Sequence, residues 1–243
     1  MEYKGIAVLS LSGGMDSTSL LLHLLRHQYK VYSLSFNYGQ KHSVELIKLE
    51  KNLEYLKSKG FEVENRIVDI SFIKDIFSSA LLTDGWKIPK GHYAEENMRQ
   101  TVVPNRNAIF SSILYGYALS IANKENEHVV LSLGVHKGDF QVYPDCRPSF
   151  YTAIGEAFKE GNWGSENVEF YLPYINSFKY DILVDVVESC NQLNLYFDIV
   201  LGNTNTCYNP DLEGKSCGKC GSCSERLEAF EKLGRKDPVN YKK

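Results

Sequence analysis

Apolar residues run along this chain in short blocks that alternate with stretches of helical period. Residues 5–11 are apolar almost without interruption, and 31–36 and 129–134 repeat the pattern, as strands buried on both faces do. Residues 61–70 predict a further strand with mixed faces. Leu20, Leu21, Leu22, Leu24 and Leu25 supply the apolar face of a helix, and Val44, Ile47, Leu49, Leu53 and Leu56 recur at helical spacing over 44–57. Gly60 fits a cap after that helix, and 109–122 and 182–193 predict two more. Strands alternating with helices predict an α/β fold, a Rossmann-like parallel sheet with helices on both faces and ligands at the carboxyl ends of its strands. Two stretches do not read as core. Residues 84–107 are polar and hold Gly85, Pro89, Gly91 and Pro104, which predicts either a functional loop or a disordered insertion. Residues 203–224 are rich in Asn, Gly, Cys and Ser and predict a small module of their own, so the chain divides at 1–202 and 203–243.

Directly after the first strand stands Ser12-Gly13-Gly14-Met15-Asp16-Ser17. Adjacent glycines let the backbone turn tightly and approach a ligand with no Cβ in the way. The helix that follows would present free N–H groups, where its dipole favours anions, and Ser12 and Ser17 add hydroxyls. This predicts a phosphate cradle; the plainer alternative is a strand-to-helix turn with Asp16 or Ser17 as N-cap. The loop matches neither G-x-x-x-x-G-K-[ST] nor G-x-G-x-x-G. Gly214-Lys215-Ser216 fails the first pattern because position 209 is Asn209. Ser12 to Ser17 instead resembles the SGGxDS loop of the PP-loop ATP pyrophosphatases, which cleave ATP between its α and β phosphates and pass AMP to a substrate oxygen.

Composition narrows the partners. A net charge of −3 gives no support to wrapping a polyanion. The N-terminus is not a secretory signal and no apolar run approaches a membrane span, which points to the cytoplasm, where disulfides are uncommon. Four of the six cysteines, Cys207, Cys217, Cys220 and Cys223, have the spacing C-x9-C-x2-C-x2-C with glycines in the turns. Four thiolates make a closed, structural zinc site that would fold this tail. A disulfide pair, a redox C-x-x-C and an iron–sulfur cluster are the other readings. Cys190 reads as core, and Cys146 as a buried thiol or a substrate contact.

Five segments in series resemble the 7-cyano-7-deazaguanine synthase family: the loop at Ser12 to Ser17; Phe36-Asn37-Tyr38-Gly39-Gln40-Lys41-His42; Val103-Pro104-Asn105-Arg106-Asn107; Tyr143-Pro144-Asp145-Cys146-Arg147; and Thr206-Cys207-Tyr208 with the cysteine tail through Glu225-Arg226-Leu227. The resemblance implies ATP-dependent conversion of 7-carboxy-7-deazaguanine and ammonia to the nitrile through an adenylated acid and an adenylated amide. It implies ATP contacts at Leu11, Ser12, Gly13, Gly14, Asp16, Ser17 and Phe36, with Asp16 on Mg²⁺ or serving as a helix cap. Substrate contacts are implied at Tyr38, Gln40, Asn105, Arg106, Asn107, His136, Asp139, Tyr143, Asp145 and Arg147. Asp139 or Asp145 would read the guanine-like edge, the alternative being a loop-capping Asp. Arg106 would grip phosphate or carboxylate, or form a surface ion pair. Lys179 would face AMP or pyrophosphate, or be a solvated lysine at a helix start. His136 is an acid–base candidate or a plain loop residue. The family further implies a homodimer and no direct nucleic-acid partner. Gln141-Val142 stand where many members carry Ser-Gly, and residues 134–139 also differ. Both departures fall at the acceptor end, so the alternatives are a ligase joining the deazaguanine carboxylate to another amine, a non-catalytic nucleotide sensor, and a sulfur-transferring enzyme.

Overall fold

The computed structural model describes residues 3–83, 85–91 and 96–242. Five parallel strands, β1 (Gly5–Ser10), β2 (Tyr29–Asn37), β3 (Glu64–Asp69), β4 (Val129–Ser132) and β5 (Val168–Phe170), form one sheet in the order β3-β2-β1-β4-β5. The helices are α1 (Met15–Arg26), α2 (Val44–Ser58), α3 (Arg106–Glu125), α4 (Pro148–Gly161), α5 (Lys179–Gln192), α6 (Phe197–Gly202) and α7 (Gly221–Leu233). β1 is central and apolar on both sides because both sides are covered. Ile6 and Val8 pack with Phe110, Leu114 and Ala118 of α3, and Ala7 and Leu9 pack with α1 and with Ile182, Leu183 and Val186 of α5. Strand order reverses at β1: β2 lies on one flank and β4 on the other. A ligand crevice opens at such a switch point, beyond the strands' carboxyl ends.

The predicted strands and helices are present with shifted ends. The strand expected from residue 61 begins at Glu64, because the Phe61 amide still donates to Leu56 O at the end of α2. α3 and α5 each start three residues early, at Arg106 and Lys179, which puts two candidate site residues in first helical turns. The helix after the glycine loop is capped by Gly14, in place of the expected Asp16 or Ser17. β5 is only three residues long, and α6 only six, too short for periodicity to reveal. In the polar stretch 84–107, residues 84 and 92–95 lie outside the described residues. The rest includes the 3-10 turn Glu96–Thr101 and the buried Met98 and Val103.

The C-terminal segment is braced from within by one buried cation. Arg226 of α7 is 1% exposed; its Nε donates to Asp237 Oδ2 (2.8 Å) and its Nη2 to Asp237 Oδ1 (3.0 Å). The same guanidinium donates to Thr204 Oγ1, Thr206 Oγ1 and Leu201 O, so one side chain fixes residues 201–206 against both α7 and the tail. Removing one partner of a buried pair strands the other charge. Asp237→Ala is expected to lower the unfolding free energy by about 3–5 kcal/mol, read as a drop in urea midpoint. A change below about 0.5 kcal/mol would show that the pair carries no weight.

Candidate active site

The turn after β1 is held by its own serines. Ser17 Oγ accepts from the Ser12 amide (3.2 Å), Ser12 Oγ accepts from the Gly14 amide (3.1 Å), and the two hydroxyls lie 3.0 Å apart. Gly13 sits at φ 82°, and a Cβ there would lie 2.3 Å from the carbonyl oxygen of Glu45. Its lack of a side chain therefore seats α2 against the loop. Gly134, just past β4, makes the matching approach on the other side: a Cβ would lie 2.9 Å from the Ser17 amide nitrogen.

Above the loop lies a group of buried charges. Lys179, at the start of α5 and 4% exposed, places Nζ 3.1 Å from Asp16 Oδ2 and 2.8 Å from Glu225 Oε2 of α7. The reading of Lys179 as a solvated helix-start lysine is thus corrected: α1 and α7 bury it between two carboxylates. His136, also read as a plain loop residue, is wholly buried, with Nε2 3.5 Å from Asp139 Oδ2 and 3.8 Å from Asp16 Oδ2. Its Nδ1 accepts from the Gly138 amide, so the neutral ring carries its proton on Nε2 and turns a donor toward the carboxylates. Burial works to raise the Asp16 pKa, but the Lys179 ammonium and His136 outweigh it and the value is lowered. Burial, helped by the Glu225 carboxylate, raises that of Asp139. Three carboxylates thus face one ammonium. Asp16 Oδ1 is buried with no hydrogen-bond partner among the described residues, and His136, Asp139 and Glu225 are close enough together to share a cation.

The loop and this group form one end of an open cleft. Its far wall is made by Phe36 stacked on Phe110 (centroids 4.1 Å), with Tyr38, His42, Glu45, Arg106, Asn107, Cys146 and Tyr208. Among the described residues no carboxylate lies within ion-pair distance of the Arg106 guanidinium, so it is no surface ion pair. Of the expected contacts, Ser12, Gly14, Asp16, Ser17, Phe36, Tyr38, Arg106, Asn107, Asp139 and Lys179 line the cleft.

The other expected contacts lie behind it or away from it. Leu11 is core, and Gln40 is buried, donating to Phe36 O and Glu45 Oε1 while accepting from the Tyr38 amide. Asn105 is the exposed, left-handed N-cap of α3. Tyr143 bonds Thr101 Oγ1 (2.6 Å) and Tyr208 (3.1 Å), and Arg147 is exposed and donates to Phe140 O. Asp145 accepts from the Asn107 amide (3.2 Å) at the start of α3, so of the two aspartates proposed to read substrate, this one has the loop-capping geometry.

A second centre lies in the C-terminal segment. Cys207, Cys217, Cys220 and Cys223 gather their sulfurs close enough to hold one metal ion. The amides of Asn209 (3.3 Å) and Cys217 (3.1 Å) donate to Cys207 Sγ, and that of Lys219 (3.4 Å) to Cys217 Sγ. Donors aimed at sulfur suit thiolates bearing charge, so the set fits a metal.

The model of the family described as queuosine biosynthesis protein QueC matches residues 6–234. The chain belongs to the QueC family. Similar proteins include the 7-cyano-7-deazaguanine synthase of Caldicellulosiruptor saccharolyticus, 42% identical over 235 residues that cover 97% of this chain and 95% of that protein. That of Hahella chejuensis is 43% identical over 235 residues, covering 97% and 92%, and that of Methanoregula boonei is 39% identical over 235, covering 97% and 98%. The resemblance carried by the five motifs is therefore real along nearly the whole chain. Among the described residues no helix is long and apolar enough to cross a membrane.

Asn205, Thr206, Ser222, Tyr208, His42 and Glu45 also line the cleft and Glu225 joins its charge group, though none is among the residues expected there from the sequence. His42, Thr206, Tyr208 and Glu225 stood inside quoted motifs, which was the available signal; Glu45 had none, being one acidic residue in the first turn of a helix. Burial pushes its carboxyl up from 4.5 to about 8, against the Gln40 hydrogen bond and the Arg106 charge. A group whose pKa rises on folding gives stability that is complete below its unfolded value and lost as pH climbs through the folded one. Native stability should therefore fall as pH is raised from 4.5 through about 8, and Glu45→Gln should flatten that fall in urea titrations. An equally steep fall in the variant would disprove the assignment.

Proposed function

We propose that this chain makes 7-cyano-7-deazaguanine from 7-carboxy-7-deazaguanine, ammonia and ATP, the reaction its full-length relatives are named for. The observation that carries the proposal is the serine-braced glycine turn at the β1–β4 switch point, opening into a cleft whose far wall holds an arginine with no carboxylate partner among the described residues. Ser12, Gly14 and Ser17 bind the pyrophosphate of ATP at the start of α1. Asp16, with a buried oxygen that has no hydrogen-bond partner among the described residues, would hold Mg²⁺, which would supply charge neutralisation to the phosphates. Lys179 keeps Asp16 ionised and orients it. Arg106 pairs with the substrate carboxylate in forked geometry and directs one of its oxygens at the α-phosphorus, while the Phe36–Phe110 stack bounds the space for a flat ring. This is catalysis by positioning and charge stabilisation. Attack forms the acyl–AMP bond and expels pyrophosphate; ammonia then displaces AMP to give the amide. A second adenylation, on the amide oxygen, makes that oxygen a leaving group, and loss of AMP and a proton gives the nitrile.

The same reading assigns zinc to Cys207, Cys217, Cys220 and Cys223 as a closed structural site, in an appendage spanning 203–243 beside the domain 1–202. It also takes the enzyme as a cytoplasmic homodimer acting on a free small molecule, in keeping with a net charge of −3. A ligase using another amine acceptor draws no support from relatives that match end to end.

Incubation with ATP, the deazaguanine acid and ammonium is expected to yield AMP, pyrophosphate and nitrile by mass spectrometry, only when the acid is present. Asp16→Asn should slow turnover by about 10²–10³ with the fold retained. ADP in place of AMP would refute the reading, and an amide as sole product would refute nitrile formation. Metal analysis should find zinc in the protein and less of it in Cys220→Ser, which should also be less stable; a zinc-replete, equally stable variant would remove the structural assignment.

A further inference from the structure

Ammonia reaches this enzyme mostly as ammonium, an ion with no lone pair to attack with. The reaction proposed above therefore needs a place that accepts the cation and removes a proton. Glu45 lies in the first turn of α2, lines the cleft and is 5% exposed. Its Oε1 accepts from Gln40 Nε2 (3.1 Å), and that amide is fixed in turn by Phe36 O and the Tyr38 amide. Its other oxygen has no hydrogen bond among the described residues. The groups facing it are Gln40, Tyr38, His42 and Arg106, with Tyr208 beyond His42. His42 Nε2 is 3.6 Å from Oε1, yet burial and the Arg106 charge hold that imidazole at about 3, so it is neutral and supplies no countercharge. Tyr38 OH lies 3.5 Å from His42 Nε2, and its own pKa is pushed up to about 12 by burial, so it stays a neutral phenol.

A carboxylate buried without a cation of its own must take a proton or a small cation. We propose that Glu45 is the ammonium site: its free oxygen receives ammonium in the cleft, takes one proton and leaves ammonia beside the activated carbon. This rests on the synthase reading of the same cleft. The nitrogen lone pair then forms the C–N bond as the C–O bond to AMP breaks, the electron pair leaving with AMP. The surplus proton on nitrogen passes to the departing phosphate oxygen, and Glu45 returns its proton to solvent. An acid raised toward neutrality is matched to this exchange.

Three measurements on the full chain separate capture of the amine from activation. Substrate-dependent exchange of pyrophosphate into ATP needs no amine. Ammonium-dependent amide and nitrile formation needs the proton removed, whereas hydroxylamine is a neutral nucleophile near neutral pH and needs no such step. Glu45→Gln is expected to keep exchange and hydroxamate formation within about threefold of the parent, while kcat/KM for ammonium drops by about 10²–10⁴. Glu45→Asp retains an acid set back by one methylene and should lose about tenfold toward ammonium alone, which keeps the test open should the first variant fold poorly. Unchanged ammonium use in either variant overturns the proposal. So does a parallel loss of exchange, hydroxamate and amide, the mark of a structural prop. No exchange in the parent protein would overturn the synthase reading and this inference together.

Discussion

The ammonium of Lys179 joins the two ends of the chain at the site. It is held between Asp16, a few residues after the first strand, and Glu225, on the last helix. Among the described residues neither carboxylate has another cation as near, and a buried carboxylate without one is costly. The arrangement forces α1, α5 and α7 into register at one point, and the packing follows: α5 presents Ile182, Leu183 and Val186 to α1 and the sheet, while Phe230 of α7 joins the same cluster. The C-terminal segment also reaches the loop directly, since the Asn205 amide donates to Gly13 O. The four-cysteine tail therefore contributes to the wall of the cleft, and whatever folds it also shapes the site.

Glycine sets how tightly these parts close. Gly13 and Gly134 let α2 and the end of β4 lean on the same turn from opposite sides, at distances no Cβ would permit. Gly138 does the same for the charge group, because a Cβ there would meet Glu225 Oε1 at 2.2 Å. Positions whose spacing suggests ligand approach thus divide into two kinds. Gly14 lines the cleft, whereas Gly13 faces into the protein and serves packing.

What was legible in the sequence was local. A strand, a glycine turn and a leucine face lie within about twenty residues of each other, and four cysteines within seventeen, so spacing alone exposes them. What stayed hidden depends on contacts between residues far apart in the chain. Lys179 reads as a helix-start lysine until Asp16 and Glu225 close on it, and His136 as a loop residue until the sheet buries it. Asp145 and Asp139 stand six residues apart with similar local signals. One takes an amide of α3 and the other joins the charge group, a distinction made by tertiary direction. Glu45 has no pattern at all, and only its burial marks it.

The two ends of the cleft are built with opposite polarity, and this constrains the order of events. The glycine turn lies beside an excess of carboxylates, so a triphosphate seated there would be repelled by Asp16 and Asp139 unless a cation came with it. The same cation would relieve the carboxylates, whose burial already drives Asp139 toward its protonated form. If both bind here as proposed, nucleotide and divalent ion would favour each other's binding through this shared deficit, reciprocally as linkage requires. At the other end, on the proposed reading, Arg106 awaits an anion and Glu45 a cation, beside the stacked rings of Phe36 and Phe110. A carboxylate substrate satisfies the first and an ammonium ion the second. On that reading, adenylation removes the charge of the substrate carboxylate and would weaken its pairing with Arg106 as the carbon becomes open to attack.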